Sequence, residues 1–316
     1  MGSLQLRFAA PWVLALTSVV APLAAAEALP PLRIMPLGDS ITRGSLSSDV
    51  NGYREDLREK LLSYEKASNF TVDMVGSLKD GSMEDNDHEG HSGEYLSDIL
   101  ENLELSIDTK PNIVLLHGGT NNMDKEVDLK LADQLMESII DRLLEGSPKA
   151  TVLVAPVIWA NDARMQANTD SFNEKLEDLI EKKQDDGQHV LSVSIAIAKA
   201  DLADRKHPND EGYAKMAEAW FDGIVAAQKL GWIEPPEEVD SKELEGMGLA
   251  DTSEDESEDK SEDKSEDKSK DKSEDDTSAA SPKLAPPGLR FSRDSASGYA
   301  WGGVSLGLVL VAQMLI

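Results

Sequence analysis

Five apolar, strand-like runs alternate with segments of helical period between residues 33 and 229. That alternation predicts an α/β fold in which a five-stranded parallel sheet carries helices on both faces, a three-layer α/β/α sandwich. Two observations support it. Ile113 to Leu116 is apolar without interruption, as a strand buried on both faces must be. The chain also has no cysteine, so about 200 folded residues must rest on an ordinary hydrophobic core, which a region of that size can bury.

The first strand spans residues 33 to 38 and ends in Gly38-Asp39-Ser40. Asn51-Gly52 marks a turn, and Tyr53 to Tyr64 follows as a helix with Leu57, Leu61 and Leu62 at helical spacing. Thr71 to Gly76 reads as the second strand. Ser77 to Gly93 is polar and is expected to be a loop, with Tyr95 to Leu105 as the next helix. The third strand, Ile113 to Leu116, runs into His117-Gly118-Gly119-Thr120-Asn121-Asn122, and a helix from Asp128 to Leu144 is closed by Gly146. Thr151 to Ile158 is the fourth strand, Ser171 to Lys183 a helix, and Val190 to Ile197 the fifth strand. Asp201 to His207 is a polar turn, and the last helix, Asn209 to Lys229, has Asn209 as its expected N-cap.

The flanks differ in kind. Residues 1–26 carry one early cation, Arg7, then an apolar run and the small-residue pair Ala24 and Ala26, the pattern of a cleaved secretory leader. Residues 27–233 form the expected folded domain. Residues 234–297 lose apolar character and repeat Ser-Glu-Asp-Lys, which predicts a disordered, solvated stalk. Residues 298–316 are uncharged and strongly apolar from Val304, which is expected of a glycolipid-anchor signal, with a membrane helix as the alternative. These features predict a secreted or cell-surface protein tethered by a lipid anchor. Asn69-Phe70-Thr71 is a glycosylation sequon that fits that route. The formal net charge is −29, which argues against nucleic acid as a partner. About half of it is local, since residues 234 to 277 hold twenty acidic residues and six lysines.

Taken alone, Ser40 reads first as the cap of the next helix. It is a candidate nucleophile only with a base, a group to orient that base, and donors for an oxyanion. Of the five histidines, His207 lies after the last strand in Asp204-Arg205-Lys206-His207-Pro208, which a parallel sheet brings to the same edge as Ser40. Asp204, three residues earlier, can accept its Nδ1 proton. Asn121 follows the third strand and offers a side-chain amide. Gly93 lets a backbone N–H approach a substrate closely, and Ser40 N–H is a third donor. Each has a plainer role available: a turn asparagine, a helix-start glycine, surface residues before the last helix. Asp85-Asn86-Asp87-His88-Glu89 holds oxygen ligands for a hard cation but lacks the spacing of a known metal loop, so a solvated loop is expected. Trp159 lines a sugar pocket or packs into the core.

The order of the four segments, Gly38-Asp39-Ser40, Gly93, Gly119-Thr120-Asn121 and Asp204-x-x-His207, resembles the SGNH (GDSL) hydrolases, and the resemblance covers residues 32 to 230. Within it, IMPLGDSIT, NGYREDL, VDMVGS and DHEGHSG resemble the acetyl xylan esterases of the third carbohydrate esterase family. The resemblance implies a flavodoxin-like sheet of order 2-1-3-4-5, no metal or other cofactor, Ser40 as nucleophile, His207 as general base, Asp204 as its orienting group, and an oxyanion hole made by Ser40 N–H, Gly93 N–H and the Asn121 amide. It also implies an acylated carbohydrate as substrate, and a monomer is expected. The sequence departs from the family at Asn122, where Asp is common, and at Glu94, where an aromatic residue often follows the glycine. A lipase or lysophospholipase of the same superfamily is the alternative enzyme, and a non-catalytic surface adhesion protein the alternative of another class.

Overall fold

The computed structural model describes residues 28–239. The expected leader at 1–26 and apolar tail at 298–316 lie outside the described residues, as does the stalk beyond Val239. The sheet is built around β1 (Leu32–Gly38), which is buried along most of its length. On one side it pairs in parallel with β5 (Ile113–His117), from Ile34 opposite Ile113 to Gly38 opposite His117. β6 (Thr151–Val154) and β7 (Val190–Ser192) continue the parallel order. On its other side β1 has two short partners. β2 (Val72–Met74) pairs with Leu32 to Ile34, and β4 (Asp87–Gly90) with Leu37 and Gly38. β3 (Leu78–Lys79) closes that edge, antiparallel to β4.

Among the described residues the sheet therefore has seven strands rather than five, in the order β3-β4-β1-β5-β6-β7 with β2 also on β1. If β2 and β4 are taken as one strand position, the parallel core keeps the expected 2-1-3-4-5 order. The correction falls on residues 77 to 93, expected as loop. Asp-His-Glu-Gly has no apolar alternation, so nothing in its pattern marks a strand. Polar contacts hold it instead: His88 Nδ1 accepts from Gly90 N at 3.0 Å, and the buried Glu89 carboxylate accepts from Ser77 N and Oγ, both at 2.8 Å.

Alternate residues of each strand serve opposite faces, as a pleated strand requires. Met35, Leu37, Val114, Leu116, Val152 and Val154 pack under α3 (Leu96–Asn102), α5 (Ala132–Gly146) and α6 (Ala163–Asp185). Ile34, Ile113, Leu115 and Leu153 pack under α2 (Arg54–Tyr64) and α7 (Asp210–Lys229), where Tyr53, Tyr213 and Trp220 are fully buried. Two short helices, α1 (Ser40–Arg43) and α4 (Thr120–Lys125), begin directly beyond β1 and β5.

Helix ends differ from expectation for local reasons. α6 starts at Ala163 rather than Ser171, because Asp162 caps it by accepting from Arg164 N and Met165 N. Its first turns bury Met165 and Thr169, and a threonine at the second position hides the apolar period. α5 starts at Ala132 rather than Asp128, after two left-handed residues, Glu126 and Asp128, that separate it from α4. Asn209 caps α7 as expected, accepting from Gly212 N at 2.9 Å. The chain stays on the domain slightly past residue 233. Asn112 Nδ2 donates to Glu234 O at 2.7 Å, and Arg33 Nη1 to Glu237 O at 3.0 Å.

Candidate active site

Because β1, β4, β5, β6 and β7 are parallel, all of their C-terminal ends open on one edge, where ligands of open α/β sheets sit. β1 and β5 converge there so closely that a Cβ on Gly38 would lie 2.0 Å from His117 O. Only glycine fits, and the chain turns at once into α1. The cap of that helix is Asp39, whose Oδ1 accepts from Ile41 N at 3.0 Å. Ser40 is therefore not the cap, and its hydroxyl is left for another partner.

That partner is His207, whose Nε2 lies 2.9 Å from Ser40 Oγ. The loop carrying His207 is pinched by a bridge between Leu202 and Pro208 and by the Ala203 N–H donating to His207 O at 2.9 Å. Within it Asp204 divides its oxygens. Oδ1 accepts from His207 N at 2.7 Å and Lys206 N at 2.8 Å, and Oδ2 faces His207 Nδ1 at 2.9 Å. A carboxylate can only accept, so it sets the tautomer: Nδ1 carries the proton and Nε2 is free to accept from the serine. Partial burial alone would raise the Asp204 carboxyl's pKa. The hydrogen bonds from the His207 and Lys206 backbones and from the imidazole outweigh it and hold the group below the ordinary carboxylate value.

The expected donors stand at the same edge. Gly93 follows β4 with φ +87, a left-handed conformation that side chains disfavour, and the space where a Cβ would sit is open. Ser40 N opens α1, where the first N–H groups have no partner within the helix. Asn121 lies in α4, buried, with its Nδ2 donating to Glu94 O at 2.9 Å and its Oδ1 accepting from Lys206 Nζ at 3.0 Å. The departure at Asn122 also has a use. Its Oδ1 accepts from Leu96 N at the start of α3, and its Nδ2 donates to Val127 O at 3.1 Å, which an aspartate could not do.

The other candidates fall elsewhere. The stretch Asp85 to Glu89 is strand and strand edge rather than a cation loop. Asp85 Oδ2 accepts from Met74 N at 2.9 Å and pairs with Arg58, and Glu89 is buried against Ser77, Ser106 and His91. Among the described residues no cluster of three or more His, Cys, Asp or Glu is placed to hold a metal ion. Trp159 is half-buried in the segment after β6, which meets the His207 loop where Asn161 N donates to Arg205 O at 2.8 Å. Asn69 is exposed in the turn before β2.

Several residues that support this edge carried no signal in the sequence. His91 N donates to Gly38 O at 3.0 Å, which ties the Gly93 segment to the end of β1. His91 Nε2 meets buried Glu89 at 2.5 Å. Arg43, at the end of α1, makes a two-pronged pair with Asp80, 2.9 Å at each contact. Asp124, buried in α4, takes Arg205 Nη2 at 2.5 Å and Lys206 Nζ at 3.1 Å.

His88 gives the domain an acid sensitivity. Burial, reinforced by the nearby Arg54 charge and only partly opposed by Asp80, pushes its pKa down to about 3 from an ordinary 6.5. Burial also lowers His117. Between those two pH values the unfolded chain binds a proton that the folded chain refuses, so stability is complete above about pH 6.5 and declines as pH falls towards 3. The urea midpoint is expected to drop between about pH 7 and pH 5, with a shallower fall in His88→Gln. A midpoint unchanged over that interval would contradict the assignment.

Comparison with known proteins gives the family. The model of the GDSL-like lipase/acylhydrolase family matches residues 37–215, more than half of the chain, and its span takes in Ser40, Gly93, Asn121, Asp204 and His207. The chain belongs to this family. Its GDSL domain is of the SGNH type. It is 30% identical over 225 residues to a multidomain esterase of Ruminococcus flavefaciens, a match covering 61% of this chain and 28% of that protein. The chain thus spans under a third of that relative's length. Among solved structures, a family 3 carbohydrate esterase of Clostridium thermocellum superposes with a TM-score of 0.55 at 25% identity, covering 63% of this chain and 98% of that one. A family 3 carbohydrate esterase of Talaromyces cellulolyticus gives 0.54 at 23% identity, covering 63% and 98%, and shares the fold.

Proposed function

We propose that the GDSL domain is a serine esterase that removes O-acetyl groups from a polysaccharide such as xylan. The observation that carries this reading is the unbroken relay from Ser40 Oγ through His207 to Asp204, open at the sheet edge beside Asn121 and Gly93. In this reading Ser40 Oγ attacks the ester carbonyl as His207 Nε2 takes its proton, and Asp204 stabilises the imidazolium. The N–H groups of Ser40 and Gly93 and the Asn121 amide receive the developing oxyanion. His207 then returns the proton to the leaving sugar hydroxyl. Water, activated by the same nitrogen, releases acetate from the acyl-enzyme. No metal is needed in any of these steps.

The acetyl preference draws support from the likeness to family 3 carbohydrate esterases and from the motifs around Ser40 and Gly93. Acetate release from acetylated xylan is expected to exceed release from an acetylated chitooligosaccharide, and p-nitrophenyl acetate to turn over faster than the octanoyl ester. Faster octanoyl turnover, or fatty-acid release from a phospholipid, would favour the lipase reading instead. No turnover of any ester would favour a surface protein that uses the scaffold without its chemistry.

A further inference from the structure

We propose that Lys206 is a positioning residue for the oxyanion hole, held by the buried Asp124 carboxylate so that it fixes which end of the Asn121 amide faces the substrate. The inference rests on the reading of Asn121 as an oxyanion donor. The two ends of an asparagine amide are nearly alike in size, so their orientation is set by what each one meets. Here both neighbours are one-sided. The Lys206 ammonium can only donate, and it lies 3.0 Å from Oδ1. The Glu94 carbonyl can only accept, and it lies 2.9 Å from Nδ2. Turning the amide over would set donor against donor and acceptor against acceptor. As placed, Glu94 O takes one Nδ2 hydrogen and the second is left for an oxyanion.

The cation is itself fixed. The Lys206 side chain is 12% exposed, and its Nζ also lies 3.1 Å from Asp124 Oδ2. Asp124, 1% exposed at its side chain, has a second cation in Arg205, 2.5 Å from Oδ1. Arg205 already pairs with the buried carboxylate, so that pairing alone does not explain Lys206. Lys206 is the one of the two whose charge reaches Asn121. A positive charge on Oδ1 draws electron density from the amide and strengthens its N–H as a donor. Because Lys206 and His207 are consecutive, one loop sets both the base and the donor.

The test uses the full chain and p-nitrophenyl acetate. Lys206→Met is expected to lower kcat about tenfold to hundredfold, with KM within about twofold, because the contact acts on the transition state. Lys206→Arg, which keeps the charge and a donor, is expected to restore most of the loss. In an Asn121→Ala background the same Lys206→Met change is expected to alter kcat by less than about twofold, since its effect passes through the missing amide. Thermal unfolding separates these effects from loss of fold, and Lys206→Gln, which retains a neutral donor, serves if Lys206→Met does not fold. Unchanged kcat in Lys206→Met overturns the proposal, as does an equal loss with and without Asn121, which would place the effect on the His207 loop. If Asn121→Ala itself leaves kcat intact, the oxyanion assignment fails instead.

Discussion

Hydrolysis of p-nitrophenyl acetate is expected to fall by at least about 10⁴-fold in Ser40→Ala, with the fold retained. The change removes one oxygen from a side chain whose local structure does not depend on it. Asp39, not Ser40, caps α1, and the close approach of β1 and β5 rests on Gly38. His207→Ala should cost about as much as Ser40→Ala, and the double variant little more than either, because a nucleophile and its base act as a unit. Losses that multiply in the double variant would show that the two side chains work separately. Activity surviving in Ser40→Ala would place the nucleophile elsewhere.

The largest loss of stability is expected at Arg54. This side chain is fully buried in α2, and it donates to four backbone carbonyls, those of Arg43, Val50, Asp80 and Asn86, at 2.8 to 3.0 Å. Those carbonyls belong to the end of α1, the turn before α2, and the two ends of the β3–β4 connection. Asn86 O also accepts from Asp80 N at 3.4 Å, and Arg54 is the side chain that draws all four carbonyls together. Arg54→Met keeps the volume and removes every donor, and it is expected to destabilise the domain by about 3–4 kcal/mol in urea denaturation. The exposed Arg164→Met serves as a control that leaves the midpoint unchanged. A loss at Arg54 no larger than at Arg164 would mean that water replaces the guanidinium without penalty.

The parallel core was legible in the sequence because it rests on strong, local signals, whereas the relay emerged only from the order of four segments that are each weak alone. Continuous apolar runs mark β1, β5 and β6, and parallel strands bring residues after each of them to one edge. Ser40, Asn121 and His207 therefore share an edge once the strands are placed. β4 was not legible, because Asp87–Gly90 enters the sheet through buried hydrogen bonds rather than apolar alternation. The early start of α6 was hidden by Thr169, and α4 by its length of six residues. Lys206 lies between Asp204 and His207, and its neighbours in the sequence give it no role. Its contacts to Asn121 and Asp124 span more than eighty residues, and no spacing within the loop announces them.

In the proposed mechanism Ser40, activated by His207, carries the acyl group. The most direct measurement is to treat the full chain with a fluorophosphonate ester and locate the adduct by peptide mass spectrometry. One adduct is expected, on the peptide containing Ser40, absent in Ser40→Ala and strongly slowed in His207→Ala, with acetate release lost in proportion to labelling. An adduct on any other residue, or full acetate release from a protein labelled at Ser40, would contradict it.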